Sequence, residues 1–120
     1  MEPGDDLTDV VQIAFAAYLD QDRPAMQAVL ADDLTFTSPQ DDHIDRATYF
    51  ECCFPTVDRI ISEVLLHIAA VDEDHVVVVY EYELKAGGTF RNAELHTVQD
   101  GQIHEIQVFF GGAVGTPVYR

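Results

Sequence analysis

The sequence has few basic residues, only two cysteines, no tryptophan and no long apolar run. Six lysines and arginines stand against 22 aspartates and glutamates, which gives a formal net charge of −16. Such a charge repels phosphate backbones and anionic lipid, so we expect no nucleic-acid partner and no membrane partner. No apolar run approaches the roughly 18 residues of a membrane span, and the acidic start of the chain does not resemble a signal peptide. These features predict a cytoplasmic protein.

The two cysteines, Cys52 and Cys53, are adjacent in a predicted helix, where neighbouring side chains diverge by about 100°. This geometry does not suit a disulfide between them. No histidine stands beside them at zinc-site spacing, so we interpret them as reduced packing residues and predict neither a metal nor a cofactor.

The first half of the chain has the pattern of helices, and a chain of 120 residues is expected to form one domain, 1–120. Apolar residues recur at helical spacing over about residues 6–20. Asp22 is a start signal for a second helix, and Asp45 for a third. Between them, residues 34–38 alternate in the manner of a short strand, after which Asp41 or Asp42 is expected to cap a turn.

From about Ile60 onwards the pattern is that of four strands, with Gly87-Gly88 and Asp100-Gly101 as hairpin turns. Residues 76–79 are apolar on both faces, which predicts that one face is covered by the helices and the other by a second copy, giving a homodimer through the sheet. The Gly-rich end, 111–120, is expected to fold over a rim. The predicted fold class is α+β: a cone-shaped, curved antiparallel sheet wrapped around three N-terminal helices.

Three segments, "LADDLTFTSP", "IDRATYFECCFP" and "DGQIHEIQVFFGG", and the order of the elements resemble the nuclear-transport-factor-2-like superfamily. Within it the chain looks most like the SnoaL-like branch, which includes relatives of polyketide cyclases and ketosteroid isomerases. The resemblance covers roughly residues 6–112. It implies the fold more than the function, because this fold carries isomerases, cyclases, hydrolases, dehydratases and binding proteins.

The resemblance also implies where an isomerase site would lie. Ketosteroid isomerases use a carboxylate base before a proline on the first strand, a tyrosine on the first helix and a protonated acid on a central strand. These positions fall on Ser38, Ala14 and Glu94 of this sequence, and only the last is a carboxyl group. A serine needs a partner base to remove a proton from carbon, so the sequence does not resemble a working steroid isomerase. Tyr18, one helical turn beyond Ala14, is a substitute donor.

The strongest candidate cluster is Asn92, Glu94 and His96, which alternate along one strand and so point to one face. A carboxylate two residues from an imidazole can orient it or raise its pKa, which would make a general acid/base pair. We therefore predict Glu94 and His96 as catalytic, with Ser38 and Tyr18 as donors. In the competing interpretation, Glu94 and His96 only satisfy each other or line a wet dimer interface.

Aromatic and apolar side chains are expected to form the walls of a cavity, with tyrosines rather than Glu81 pointing inward. The predicted ligand-binding residues are Phe36, Phe50, Phe54, His67, Tyr80, Asn92, Val108 and Phe110. His67 is alternatively a core histidine bonded to the backbone. His67, His96 and Glu94 together would also be an acceptable zinc or iron set, a less favoured alternative because no ligand spacing is local.

The predicted function is binding of a small hydrophobic or polycyclic molecule, with cofactor-independent isomerisation, cyclisation or dehydration. The alternative is a non-catalytic ligand-binding or protein-interaction module whose cavity is filled by its own side chains. A hollow below about 100 Å³, well under the usual range for ligand pockets, would favour that alternative.

Overall fold

The computed structural model describes residues 3–115, with side chains described from residue 7. The helices are α1 (Pro3–Asp20), α2 (Arg23–Val29), α3 (Arg46–Cys52) and a 3₁₀ helix (Phe54–Arg59). The strands are β1 (Leu30–Thr37), β2 (Ile44–Asp45), β3 (Ile60–Ala70), β4 (His75–Leu84), β5 (Thr89–Gln99) and β6 (Gln102–Ala113). The end of the Gly-rich segment, residues 116–120, lies outside the described residues.

Both predicted internal helix starts are confirmed by hydrogen bonds to a capping carboxylate. Asp22 Oδ1 accepts from the Ala25 N–H at 3.2 Å, and Asp45 Oδ1 accepts from the Thr48 N–H at 2.9 Å. Each bond satisfies an amide that has no partner within its helix. The 3₁₀ helix and the two-residue β2 were not predicted from the sequence.

The six strands form one curved sheet in the order β2-β1-β6-β5-β4-β3. The predicted meander of four antiparallel strands is confirmed as β3 to β6. The hairpin between β5 and β6 turns at Asp100 and Gly101, which both have positive φ (54° and 74°), as a two-residue turn of this kind requires. The sheet is mixed rather than wholly antiparallel, because β1 runs parallel to β6.

The helices cover one face of the sheet, and the core lies between them. Val76 and Val78 of β4 are fully buried there, together with Val11 of α1. On the opposite face, which we call the outer face, Val64 and Phe109 are each 55% exposed. Cover of this outer face by a second copy stays a prediction.

Two β-bulges in β3 change which of its side chains face the helices. Ile60 pairs with Leu84 and Ser62 with Glu83, so Ile61 is an extra residue; Leu66 is likewise extra between Leu65 and His67. A bulge places two consecutive residues on the same side and shifts the alternation that follows by one residue. Both bulges turn outward, where Ile61, Ser62, Leu66 and His67 are exposed.

In the part of the chain from residue 3 to residue 115, no helix is long and apolar enough to cross a membrane.

Candidate functional site

A hollow of about 180 Å³ lies between α1, α3, β1 and the helix-facing side of the sheet. We call it the inner hollow. Its walls are the side chains of Ala14, Phe15, Tyr18, Met26, Phe36, Ser38, Tyr49, Cys53, Thr56, Glu63, Tyr80, Glu94, His96, Ile106 and Val108. A mostly apolar, aromatic wall with a few convergent polar groups is the usual character of a small-molecule site.

A second hollow of about 340 Å³, the outer hollow, adjoins the first. Tyr18, Thr56, Glu63 and Tyr80 line both, so the two spaces meet at these four side chains. The outer hollow is bordered by exposed residues, among them Arg59.

Glu94 and His96 meet at the wall of the inner hollow, as their alternation on β5 predicted. His96 Nε2 lies 2.9 Å from Glu94 Oε1, and the two side chains are 2% and 12% exposed. Because a carboxylate only accepts, we assign the proton of this bond to Nε2. No hydrogen-bond partner is found for Nδ1 of His96 among the described residues.

Tyr80 completes a chain of hydrogen bonds to the same carboxylate. Its hydroxyl donates to Glu94 Oε2 at 2.6 Å and accepts from Asn92 Nδ2 at 3.2 Å. Burial raises the pKa of Tyr80, and the negative charge of Glu94 raises it further, so the phenol keeps its proton and remains a donor. Both carboxylate oxygens of Glu94 thus accept a hydrogen bond, one from a phenol on β4 and one from an imidazole on its own strand.

Glu63 on β3 is a second carboxyl group of the hollow, and the sequence reasoning missed it. Burial raises the pKa of Glu63 to about 7, with a smaller contribution from the charge of Glu94. Its Oε1 atom is buried and has no hydrogen-bond partner among the described residues. A carboxyl group in this state can hold or release a proton near neutral pH, which is the property of a general acid or base.

Tyr18 stands at the junction of the two hollows. Its hydroxyl donates to Thr56 Oγ1 at 2.7 Å, because the single proton of Thr56 goes to the Cys53 carbonyl oxygen at 2.7 Å. The ring packs edge-on against Phe54. Burial raises the pKa of Tyr18 to about 12, so the phenol stays neutral at physiological pH, with its proton engaged by Thr56.

Ser38 lines the inner hollow, but its hydroxyl is occupied by the turn that follows β1. Its Oγ accepts from the N–H groups of Gln40 and Asp41 at 3.2 Å each and donates to Asp41 Oδ2 at 3.3 Å. The turn expected to be capped by Asp41 or Asp42 is therefore capped by the serine.

Four of the predicted ligand-binding residues line one of the hollows and four do not. Phe36, Tyr80 and Val108 line the inner hollow, and Asn92 lines the outer one. Those outside both are Phe50, Phe54, His67 and Phe110. Tyr80 points inward, as expected, whereas Glu81 pairs with Arg91 at 2.9 Å.

Two of these four residues are buried in the core, and the other two are exposed. Phe50 is buried behind the wall under the Arg23 guanidinium, 4.4 Å from its ring centre, and Phe54 is buried behind Tyr18. Phe110 is 56% exposed, near the end of β6.

His67 is exposed, so the prediction that it faces the cavity is wrong, and so is the alternative of a core histidine. The bulge at Leu66 turns its side chain to the outer face. It therefore cannot join Glu94 and His96 as a ligand set. Among the described side chains, no group of three His, Cys, Asp or Glu residues is arranged to hold a metal ion.

Comparison with solved structures agrees with this architecture. A proposed ketosteroid isomerase from Kribbella flavida superposes with a TM-score of 0.76 at 18% identity, over 98% of this chain and 86% of that one. An LEH-like epoxide hydrolase from M. tuberculosis gives 0.73 at 18% identity, over 91% and 85%. A proposed polyketide cyclase from Xanthomonas campestris gives 0.67 at 25% identity, over 91% and 93%. The chain has the nuclear-transport-factor-2-like fold.

The nuclear-transport-factor-2-like fold predicted from the sequence is therefore confirmed. No protein-family model matches the sequence. No curated protein matches it either. Because proteins of this fold differ widely in chemistry, the function has to be argued from the hollow itself.

Proposed function

We propose that the protein binds a small apolar molecule in the inner hollow and transfers a proton on it, with Glu94 and His96 as the acid/base pair. The observation that carries the proposal is the hydrogen-bonded chain from Tyr80 through Glu94 to His96 in the wall of an otherwise largely apolar hollow. Such a chain fixes the carboxylate in one orientation, and its hydrogen bonds take the place of bonds from water to the carboxylate oxygens. A fixed orientation is what general acid/base catalysis requires.

The chemistry that fits is proton removal next to a carbonyl group followed by return of the proton elsewhere, as in isomerisation, cyclisation or dehydration. Glu94 takes the proton and becomes neutral, while the hydrogen bonds from His96 and Tyr80 hold its carboxyl group in position. Glu63 is a second group able to exchange a proton near neutral pH. Tyr18 would donate to a ligand at the junction of the hollows by releasing Thr56, whereas Ser38 contributes chiefly to the shape of the wall. No cofactor is part of this proposal.

The size of the hollow restricts the ligand. A volume of about 180 Å³ lies below the roughly 300 to 1,000 Å³ of sites for drug-sized molecules. It suits a single ring or short chain, so a polycyclic ligand would have to extend into the outer hollow. The volume is above the limit of about 100 Å³ at which a self-filled, non-catalytic module would be favoured.

The test uses cyclohexanone, a small ketone whose α-protons exchange slowly with deuterium oxide. If Glu94 removes such a proton, an enolate forms and deuterium returns to the carbon, which NMR detects without knowledge of the natural substrate. We expect exchange above the buffer background, and a loss of about 100-fold or more on Glu94→Gln. Glu73→Gln is the matched control, since Glu73 is exposed and lines neither hollow.

Two results would contradict the catalytic proposal. Exchange at the background rate with bound ketone would leave the second candidate function, ligand binding without catalysis. An undiminished rate in a folded Glu94→Gln variant would remove Glu94 from the chemistry.

We also propose a homodimer through the outer face of the sheet. Val64 and Phe109 are each 55% exposed there, Leu66 is 38% exposed, and the central Val77 and Val79 are only half-buried in the single chain. An apolar face of this kind is more stable when a second copy covers it. A cytoplasmic location and the absence of nucleic-acid or membrane partners stay predictions from composition.

A further inference from the structure

We propose that the natural ligand is a small organic cation, an apolar amine whose ammonium group is held by the carboxylate of Glu63 within the inner hollow. This inference rests on the proposed ligand-binding function of the hollow and names the chemical class of its ligand. To serve also as a substrate of Glu94 and His96, the amine would have to carry a carbonyl group whose neighbouring carbon gives up the proton.

The charges around the inner hollow favour a cation. Glu63 and Glu94 both line it, whereas none of its described lining residues is a lysine or arginine. Among the described residues that line the two hollows, the one lysine or arginine is Arg59, on the rim of the outer hollow. Like charges that share a largely apolar space repel each other, and a bound cation would relieve this repulsion.

The hydrogen bonds of the two glutamates in the inner hollow also favour a cationic ligand. Both oxygens of Glu94 already accept bonds, from Tyr80 and His96. Glu63 differs, because its buried Oε1 has no partner among the described residues. A buried acceptor without a donor is costly, and an ammonium group supplies up to three donors.

The walls and the charge of the whole protein also suit an ammonium ligand. Five aromatic rings line the inner hollow: Phe15, Tyr18, Phe36, Tyr49 and Tyr80. Aromatic faces attract cations as well as apolar groups. The net charge of −16 raises the local concentration of cations and opposes the entry of anions.

The pH dependence of binding follows from the groups that face Glu63 in the two hollows. These are Tyr18 on α1, Tyr49 on α3, Cys53 before the 3₁₀ helix, Arg59 at its end, Tyr80 and Tyr82 on β4, and Glu94 and His96 on β5. Burial raises the pKa of every phenol and of the thiol in this set, so these groups stay neutral between pH 6 and pH 8. Glu63 changes its charge in this interval, because burial raises its pKa to about 7.

The experiment compares benzylamine with benzyl alcohol, which has nearly the same shape and no charge. Calorimetric titrations are made at pH 6 and pH 8 with the wild type, Glu63→Gln and the control Glu73→Gln. We expect the amine to bind the wild type at least about tenfold more tightly than the alcohol at pH 8. The affinity for the amine should fall about tenfold at pH 6, because only about one-tenth of Glu63 is then ionised. Glu63→Gln should lose the preference and its pH dependence and still bind the alcohol.

Equal or tighter binding of the alcohol at pH 8, or an unchanged preference in Glu63→Gln, would overturn the assignment of an amine ligand and leave the proposed ligand-binding function standing. Failure of both probes to bind at millimolar concentration would count against that function itself. If Glu63→Gln does not fold, the two probes and two pH values on the wild type still decide the question.

Discussion

Replacing Glu63 by glutamine should stabilise the protein at alkaline pH and have a much smaller effect in acid. The buried carboxyl has a pKa of about 7 in the folded state, against a reference value of 4.5. The folded state therefore binds more protons than the unfolded state between these two values. Stability falls as pH rises through this interval, and the loss is complete above pH 7.

The size of the effect on the free energy of unfolding follows from the pKa shift of Glu63. Each pKa unit corresponds to about 1.4 kcal/mol, so ionisation of Glu63 costs at most about 3.5 kcal/mol of unfolding free energy. Most of this cost, about 2.5 kcal/mol, should develop between pH 5 and pH 8. Glutamine has nearly the same shape and no proton to lose, so the variant should not share this loss.

The assay is urea unfolding of the wild type, Glu63→Gln and Glu73→Gln at pH 5, 6, 7 and 8. Any constant contribution of the new amide cancels when the pH values are compared. We expect the difference between Glu63→Gln and wild type to grow with pH, while the exposed Glu73→Gln control shows no such trend. A difference that does not change with pH, or that grows towards acid, would refute the assignment of a buried, protonatable Glu63.

Two further changes test the hydrogen-bond chain and the outer face. Tyr80→Phe removes the donor to Glu94 Oε2 and keeps the ring, so we expect a loss of about 1.5 to 3 kcal/mol in urea unfolding at pH 7; an unchanged free energy would mean that the bond contributes nothing. Val64→Asp places a charge on the outer face and should convert a dimer to a monomer by light scattering, whereas Ile13→Asp, on exposed α1 and 47% exposed, should not. A monomeric wild type would contradict the proposed dimer.

The sequence was informative wherever a strand keeps its regular alternation. Glu94 and His96 share a face because β5 is regular between them, so their meeting could be predicted from spacing alone. The inward direction of Tyr80 followed from the same rule on β4. The helix caps at Asp22 and Asp45 are local chemistry, and they too could be read from neighbouring residues.

The sequence was misleading on β3, because two bulges interrupt the alternation there. Counting by twos from Ile60 places Glu63 on the outer face, whereas the bulge at Ile61 turns it into the hollow. Counting onward from Leu65 places His67 inside, whereas the bulge at Leu66 turns it out. Neither bulge has a glycine to mark it, so pairing with β4 decides the positions and the local sequence gives no signal. The parallel pairing of β1 with β6 is likewise set by distant parts of the chain.

The two bulges also determine how this site can change during evolution. Loss of Ile61 or Leu66 would remove a bulge and leave every remaining side chain of β3 on its present side, because each of these residues is the unpaired one. Loss of a residue elsewhere in the strand would have to be absorbed by a new register, and side chains would change places between hollow and surface. The side chains that line the hollow can thus be changed by a single insertion or deletion in β3 as well as by substitution. At two positions of β3, Ile61 and Leu66, a deletion would leave the lining unchanged.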